Sequence, residues 1–189
     1  MTLDEARAIL NEHCSVDVGR FYGNTEGLSL GAGLIYQKVR YPIFDANERL
    51  FLTTEGTVYV LTHECDVDPK NKRAFNTDVV VCPLIPLARF LEDYSKEFGE
   101  GDSIRNFLVE IAKRRVSRVV YLPPSTSALE HGGLLYFNAL ASTHVSEFQN
   151  CAVSTALSQY GLREVDAAFH NHFLREKSQS LGMALSSRT

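Results

Sequence analysis

Residues 79–85, Val-Val-Val-Cys-Pro-Leu-Ile, form an almost unbroken apolar run. A short run that is rich in β-branched residues is typical of a strand whose two faces are both covered by other parts of the protein. Pro83 has no backbone N–H, so it should mark the end of ladder pairing or an edge. The run therefore predicts the central strand of a β-rich fold.

Shorter β segments lie on both sides of this central run. Residues 33–39 predict one strand, and residues 50–62 predict a hairpin that turns at Glu55-Gly56. Further strands are predicted after the central run, over residues 117–122, 134–137 and 141–145. Five or six short strands with few crossover helices argue against a doubly wound sheet and favour a small antiparallel barrel.

Helices are predicted at both ends of the chain and in one insertion. Thr2 and Glu5 have the spacing of a capping box, which starts a helix over residues 3–13. Apolar residues at helical spacing predict two short helices inside residues 86–116 and a last helix from Ser158.

We therefore expect a single domain over residues 1–189, mainly β with helices, in the α+β class. Its parts are an N-terminal helix at 1–14, a barrel with a C-terminal helix at 33–85 and 117–177, and a helical insertion at 86–116.

Composition limits the function. The 189 residues are 44% hydrophobic, which is enough for a well-packed core. The net charge of −4 and the pI near 5.9 argue against a globally basic nucleic-acid coat. No stretch approaches the roughly 20 apolar residues that span a bilayer, and no secretion signal follows the N-terminus. Four scattered cysteines without a CxxC pair then predict free thiols in the cytoplasm.

The densest polar cluster is His63-Glu64-Cys65-Asp66, directly after a predicted strand. In strand geometry His63 and Cys65 would share one face. Imidazole plus thiolate suits a transition metal such as zinc, and His13-Cys14 could complete a four-ligand site. Cys65 could also act as a nucleophile with His63 or His144 as its base, although the acidic neighbours disfavour a thiolate. The alternative that the spacing favours is a corner in which Asp66 caps backbone N–H groups and Cys65 packs in the core.

A glycine-rich segment precedes the first predicted strand. Residues 19–33 contain five glycines, so we expect a loop there. Such a loop is either mobile or lies across a site.

Residues 105–118 carry five cations against one anion, Glu110. The cations are Arg105, Lys113, Arg114, Arg115 and Arg118. One hypothesis is that they bind nucleic-acid phosphates. The alternative is a solvated helix end, where cations meet the negative pole of the helix dipole.

The order of the β segments resembles the MazF/PemK toxin family, whose members are small SH3-like barrels that cut RNA. Residues 33–36 resemble the opening strand of that family, and residues 57–62 resemble a strand that ends in a Val-Leu-Ser-type corner. Residues 79–85 resemble the strand that runs through a Val-Pro-Ile-Thr-type segment. The stretch from His144 through the helix after Ser158 resembles the closing strand and C-terminal helix.

This resemblance implies an endoribonuclease-like hydrolase that forms a homodimer and has a protein partner encoded nearby. Members that cut RNA use an Arg on the early loop, which here would be Arg40 or Arg49, and a Thr or Ser just after the Pro-Ile segment. Ile85 stands at that second position and cannot supply a hydroxyl. Catalysis would then use His63 or Asp66 as acid/base, with Arg49 stabilising the phosphorane charge.

Three functions follow from the sequence. The first is an RNA-contacting protein of toxin type, or a phage- or defence-associated relative. The second is a non-catalytic protein-binding or regulatory module on the same barrel, and the third is a metal-binding protein that uses His63 and Cys65, with zinc as the possible ion. The expected partners are RNA, a protein encoded nearby and a second copy of the chain, with no membrane.

Overall fold

A computed structural model describes residues 1–71, 77–98, 101–125 and 129–174 of the chain. Within these residues the α-helices are α1 (Leu3–His13), α2 (Val18–Phe21), α3 (Glu64–Val67), α4 (Leu87–Phe98), α5 (Asp102–Ala112) and α6 (Gln159–Phe173). The strands are β1 (Tyr22–Gly23), β2 (Leu34–Asp45), β3 (Leu50–Val60), β4 (Asp78–Pro86), β5 (Val119–Leu122), β6 (Gly133–Tyr136), β7 (Ala141–His144) and β8 (Val153–Leu157). The predicted end of the last helix, residues 175–177, lies outside the described residues.

The apolar run of residues 79–85 is the centre of the sheet, as its composition predicts. It lies in β4, which pairs antiparallel with three strands in succession: β7 over residues 78–81, β3 over residues 81–83 and β6 over residues 84–86. The ladder with β3 ends at Pro83, because proline has no N–H to donate. β4 therefore joins the strands β1, β8, β2, β3 and β7 to the β5–β6 pair.

The α+β class is confirmed, but the sheet is not closed into a barrel. The described strands follow the order β1-β8-β2-β3-β4-β6-β5, with β7 beside β4, and β1 does not pair with β5. After Pro83 the strand β4 turns to β6, and the β5–β6 pair packs against helices. Val119, Tyr121 and Leu134 share a buried cluster with residues of α1, α4 and α5. The β5–β6 end of the sheet is therefore covered by helices.

The predicted hairpin over residues 50–62 is wrong. Leu50–Val60 is one continuous strand, and the chain turns before it, at residues 46–49. Gly56 stays inside the strand, where a Cβ would lie 3.1 Å from the Tyr41 hydroxyl oxygen of β2. The glycine thus allows a close approach between neighbouring strands rather than a turn.

Four of the described α-helices, α1, α4, α5 and α6, lie where the sequence predicts them, whereas α2 and α3 were not predicted. α1 begins with the capping box of Thr2 and Glu5, and its buried residues join those of α5 in one apolar cluster. α4 and α5 fall within the expected insertion at 86–116. Ser158 caps the start of α6, and its hydroxyl accepts a hydrogen bond from the Gly161 N–H at 3.1 Å.

Candidate functional site

The polar corner after β3 is one turn of helix, α3, so the strand geometry expected for it is wrong. His63 caps this turn, and its Nδ1 accepts the backbone N–H of Cys65 at 3.3 Å. The same nitrogen lies 2.9 Å from the Cys65 Sγ. The helical turn therefore brings the imidazole and the thiol into contact, as the base-and-nucleophile hypothesis requires.

The glycine-rich loop lies across this corner. A cavity of about 510 Å³ opens beside Cys65, and the loop residues Ser29 and Leu30 form part of its wall. A Cβ on Gly31 would lie 2.8 Å from the Glu64 Cβ and 3.0 Å from its backbone, so the loop contacts α3 through a residue that needs no side chain. Residues 19–23 belong to α2 and β1 rather than to the expected loop, and residues 29–31 lie against the corner.

Hydrogen bonds hold the corner in place. The Asn71 side-chain amide donates to the Cys65 carbonyl at 2.7 Å, and the Asp68 carboxylate accepts the Lys70 N–H at 2.9 Å. Asp66 is exposed, and Cys65 is half-buried rather than part of the core. His63 and Asp68 therefore accept at least some of the backbone N–H groups that the sequence analysis assigned to Asp66.

The two His-Cys pairs of the metal hypothesis lie apart. Cys14 packs on the cluster formed by α1, α4 and α5, where burial raises the pKa of its thiol. The described residues contain no group of three or more His, Cys, Asp or Glu side chains that could hold a metal ion. Within them, His63 and Cys65 offer a zinc ion two ligands, whereas a structural zinc site has four.

Arg49 does not join the corner. It lies in the exposed turn between β2 and β3, at the opposite end of the 11-residue strand β3 from His63. At about 3.3 Å per residue, roughly 35 Å of strand separates the two. The structure therefore does not bring together the catalytic set His63, Asp66 and Arg49.

The basic run over residues 105–118 is divided between several environments. Arg114 forms an ion pair with Glu164 of α6, and Arg115 pairs with Glu110 at 3.0 Å. Arg105, Lys113 and Arg118 are exposed and form no ion pair among the described residues. Two of the five cations of the run are therefore already paired with carboxylates.

Arg118 instead belongs to a cleft between the helical insertion and the β5–β6 pair. We call this the aromatic cleft; its volume is about 460 Å³. It is lined by Ile85, Phe90, Tyr94, Glu97, Phe107, Arg118, Val119, Leu134 and Tyr136. The Phe107 ring stacks on Tyr94, with centroids 5.2 Å apart and planes inclined by 14°, and on Phe90 at 6.1 Å and 23°. The Phe90 and Tyr94 rings are inclined to each other by 37°. An aromatic wall beside a guanidinium group can bind a planar aromatic ligand that carries a negative charge.

Sequence reasoning missed the aromatic cleft, although each part of it was visible. Phe90 and Tyr94 are four residues apart on α4, a spacing that predicts one apolar stripe of a packed helix. Phe107 comes from α5, and Arg118 from the turn before β5. Ile85, the position at which the MazF/PemK resemblance places a hydroxyl, lines the same cleft.

No protein-family model, curated protein or solved structure matches this chain. Among the helices of the described residues, none has both the length and the apolar character needed to cross a membrane.

Proposed function

We propose that this chain is a divergent, cytoplasmic MazF-like protein that holds single-stranded RNA in the aromatic cleft without cutting it. The observation that carries the proposal is the stack of Phe90, Tyr94 and Phe107 beside Arg118. Unpaired bases stack on aromatic side chains, and each such contact contributes about 1–3 kcal/mol. Arg118 would donate to the phosphate next to the stacked base.

The position of Ile85 supports binding rather than cleavage. The resemblance to MazF/PemK assigns this position to the hydroxyl that takes part in cutting RNA, and in this chain it lines the proposed RNA site. An isoleucine side chain there adds apolar surface for a base and has no group that could move a proton.

The charges of the aromatic cleft favour recognition by stacking over recognition by phosphate. Arg118 and Glu97 both line it, and the whole chain has a net charge of −4. Each neutralised phosphate of a single strand contributes about 0.7 to the salt slope of log K. The logarithm of the binding constant should therefore fall only weakly with the logarithm of the salt concentration, with a slope near the value for one phosphate contact.

The test is fluorescence anisotropy with labelled RNA oligomers of about eight nucleotides at low salt. Phe107→Leu keeps most of the apolar volume but removes the ring, and should weaken binding roughly 5- to 100-fold. Arg118→Ala should weaken it roughly tenfold and flatten the salt slope by about 0.7.

The matched control is Arg105→Ala, which removes an exposed arginine of α5 that does not line the aromatic cleft. It should leave affinity within about twofold of the wild type. Equal losses from Arg105→Ala and Arg118→Ala, or no binding of any oligomer by the wild type, would contradict the proposal.

RNA cleavage at the His63 corner is the second candidate function, and the cavity of about 510 Å³ that Cys65 and the loop residues Ser29 and Leu30 line favours it. His63 would act as the acid/base group. The corner lies beside the start of β4 and Ile85 near its end, roughly 20 Å along the strand. His63→Asn, which keeps a capping side chain, should then abolish cleavage and leave binding in the aromatic cleft unchanged. Intact RNA after incubation with the wild type would remove this candidate.

A further inference from the structure

Glu97 brings a carboxylate to the wall of the aromatic cleft. On α4 it comes seven residues after Phe90 and three after Tyr94, so the three side chains share one face of the helix. Three residues correspond to about 4.5 Å along the helix axis, and helical side chains lean toward the N-terminus. The carboxylate is therefore placed beside a base that stacks on Tyr94.

The two charges of the aromatic cleft are unpaired within the described part of the chain. Glu97 and Arg118 are both exposed, and neither forms an ion pair with the other or with a further described residue. Glu92 of the same helix, by contrast, pairs with Lys96 at 2.8 Å. A ligand in the cleft thus meets an acceptor group and a donor group that the described residues do not already use.

The chemistry of a carboxylate distinguishes between the RNA bases. An ionised carboxylate accepts hydrogen bonds and donates none. On its Watson–Crick edge guanine presents two neighbouring donors, N1–H and the N2 amino group. Adenine and cytosine place an acceptor nitrogen beside their amino group, and uracil has a carbonyl oxygen on each side of its N3–H. A carboxylate therefore accepts two hydrogen bonds from guanine, whereas it meets a lone pair on each of the other bases.

We propose that the aromatic cleft binds guanine in preference to the other bases and that Glu97 determines this specificity, an inference that rests on the RNA binding proposed above. The guanine ring stacks on the aromatic wall, its N1–H and N2 amino group donate to the Glu97 carboxylate, and Arg118 donates to the neighbouring phosphate. The volume of about 460 Å³ lies within the roughly 300–1,000 Å³ of small-ligand sites, as a site for one nucleotide requires. Stacking and phosphate contacts are similar for every base, so the preference depends on Glu97.

The test is fluorescence anisotropy with labelled oligouridines of about eight nucleotides, in which one central position is guanosine, inosine, adenosine or cytidine. The wild type should bind the guanosine oligomer at least roughly tenfold more tightly than the adenosine or cytidine oligomer. Inosine keeps the N1–H but lacks the amino group, so its oligomer should have an intermediate affinity.

Glu97→Gln should remove the preference, because an amide offers one acceptor and one donor group. The guanosine oligomer should bind to this variant roughly tenfold more weakly, and the adenosine oligomer no more weakly than to the wild type. Arg118→Ala should instead weaken both oligomers by the same factor, since a phosphate contact carries no information about the base.

Glu92→Gln is the matched control, because it makes the same change of charge at an exposed residue of α4 that does not line the aromatic cleft. Its affinities should lie within about twofold of the wild-type values. Circular dichroism checks that the variants fold.

Equal binding of all four oligomers by the wild type, or a guanine preference that survives Glu97→Gln, would overturn the inference and leave the proposed RNA binding intact. No binding of any oligomer would overturn both. Competition with 5′-GMP separates a guanine base in RNA from a free nucleotide, and GMP should displace the guanosine oligomer only at concentrations above the dissociation constant of that oligomer. GMP that binds more tightly than the oligomer would assign the guanine site to free nucleotides and overturn the RNA proposal.

Discussion

Two corners of the molecule carry the same local motif in different surroundings. His63 follows β3 and His144 ends β7, and these two strands pair with opposite sides of β4. Each histidine caps one helical turn through its Nδ1, which accepts the N–H two residues on, at 3.3 Å for Cys65 and 3.2 Å for Ser146. Each Nδ1 also contacts that residue's side chain, at 2.9 Å for the thiol and 2.8 Å for the hydroxyl.

In both corners the contact between an imidazole and the side chain two residues on accompanies the cap. The difference lies around the motif. The first corner has the glycine-rich loop packed on Glu64 and the cavity beside Cys65. The second has an ion pair between Arg40 and Glu147, at 2.8 Å, along the side of a smaller cleft. Any chemistry particular to the His63 corner therefore depends on its loop and its cavity rather than on the 2.9 Å contact.

The largest expected effect is on thiol reactivity. Burial raises the pKa of the Cys14, Cys82 and Cys151 thiols, that of Cys82 to about 12. The thiolate is the nucleophile, so a raised pKa lowers the reactive fraction near neutral pH, about tenfold for each pH unit. Cys65 lines an open cavity and should be alkylated first by iodoacetamide, at least a hundredfold faster than Cys82, with peptide mass spectrometry as the measurement.

In urea all four cysteines should react at similar rates, which controls for reagent chemistry. Ser146→Cys adds a thiol to the second corner, so that the alkylation rate of a thiol two residues after a capping histidine can be compared between the two corners. Equal rates at Cys65 and at the buried Cys82 in the folded protein would mean that the cavity does not open to solvent.

The next effect is on stability, through the loop that only the first corner has. Gly31→Ala places a methyl group 2.8 Å from the Glu64 Cβ and 3.0 Å from its backbone, so the loop or α3 must shift. We expect a loss of about 1–3 kcal/mol in urea unfolding, together with faster alkylation of Cys65. In Gly19→Ala the methyl group meets its nearest neighbour at 3.4 Å, an ordinary contact, and stability should change by less than about 0.5 kcal/mol. Equal stability of the two variants would show that the loop yields without strain.

The third effect tests the cap itself. His63→Ala and His144→Ala each remove one N-cap acceptor, and each should lower the free energy of unfolding by about 1 kcal/mol. Asn is among the best capping residues, so His63→Asn and His144→Asn should recover most of that loss. A His63→Ala loss that far exceeds the His144→Ala loss, and that Asn does not recover, would show that His63 does more than cap.

The parts of the fold that local chemistry determines could be predicted from sequence. The apolar run of residues 79–85 and the capping box of Thr2 and Glu5 act through neighbours in the chain, and both gave the correct element. The Glu55-Gly56 pair has turn chemistry, but Gly56 lies in mid-strand beside the Tyr41 hydroxyl of the adjacent strand. That neighbour is present only after β2 and β3 have paired.

The same distinction applies to the candidate sites. His63 and Cys65 are two residues apart, so their proximity was predictable, although the helical turn that joins them was not. Phe90, Phe107 and Arg118 come from three successive segments, and only the packing of α4 and α5 over the β5–β6 pair brings them together. No spacing rule in the sequence could have selected those three.

The smallest expected effect comes from making the two corners chemically alike. Cys65→Ser gives the first corner the His-x-Ser motif of the second, in which a hydroxyl already lies 2.8 Å from the capping Nδ1. Since Cys65 is half-buried at the edge of a cavity, the substitution should change the free energy of unfolding by less than about 0.5 kcal/mol. Binding of RNA in the aromatic cleft should not change, because that cleft lies at the other end of β4. A loss above about 1.5 kcal/mol would mean instead that the sulfur acts as a packed apolar group, as in the core interpretation of Cys65. The reverse exchange, Ser146→Cys, separates these outcomes. If Ser146→Cys leaves stability unchanged while Cys65→Ser lowers it, the surroundings of the two corners, and not the motif, cause the difference.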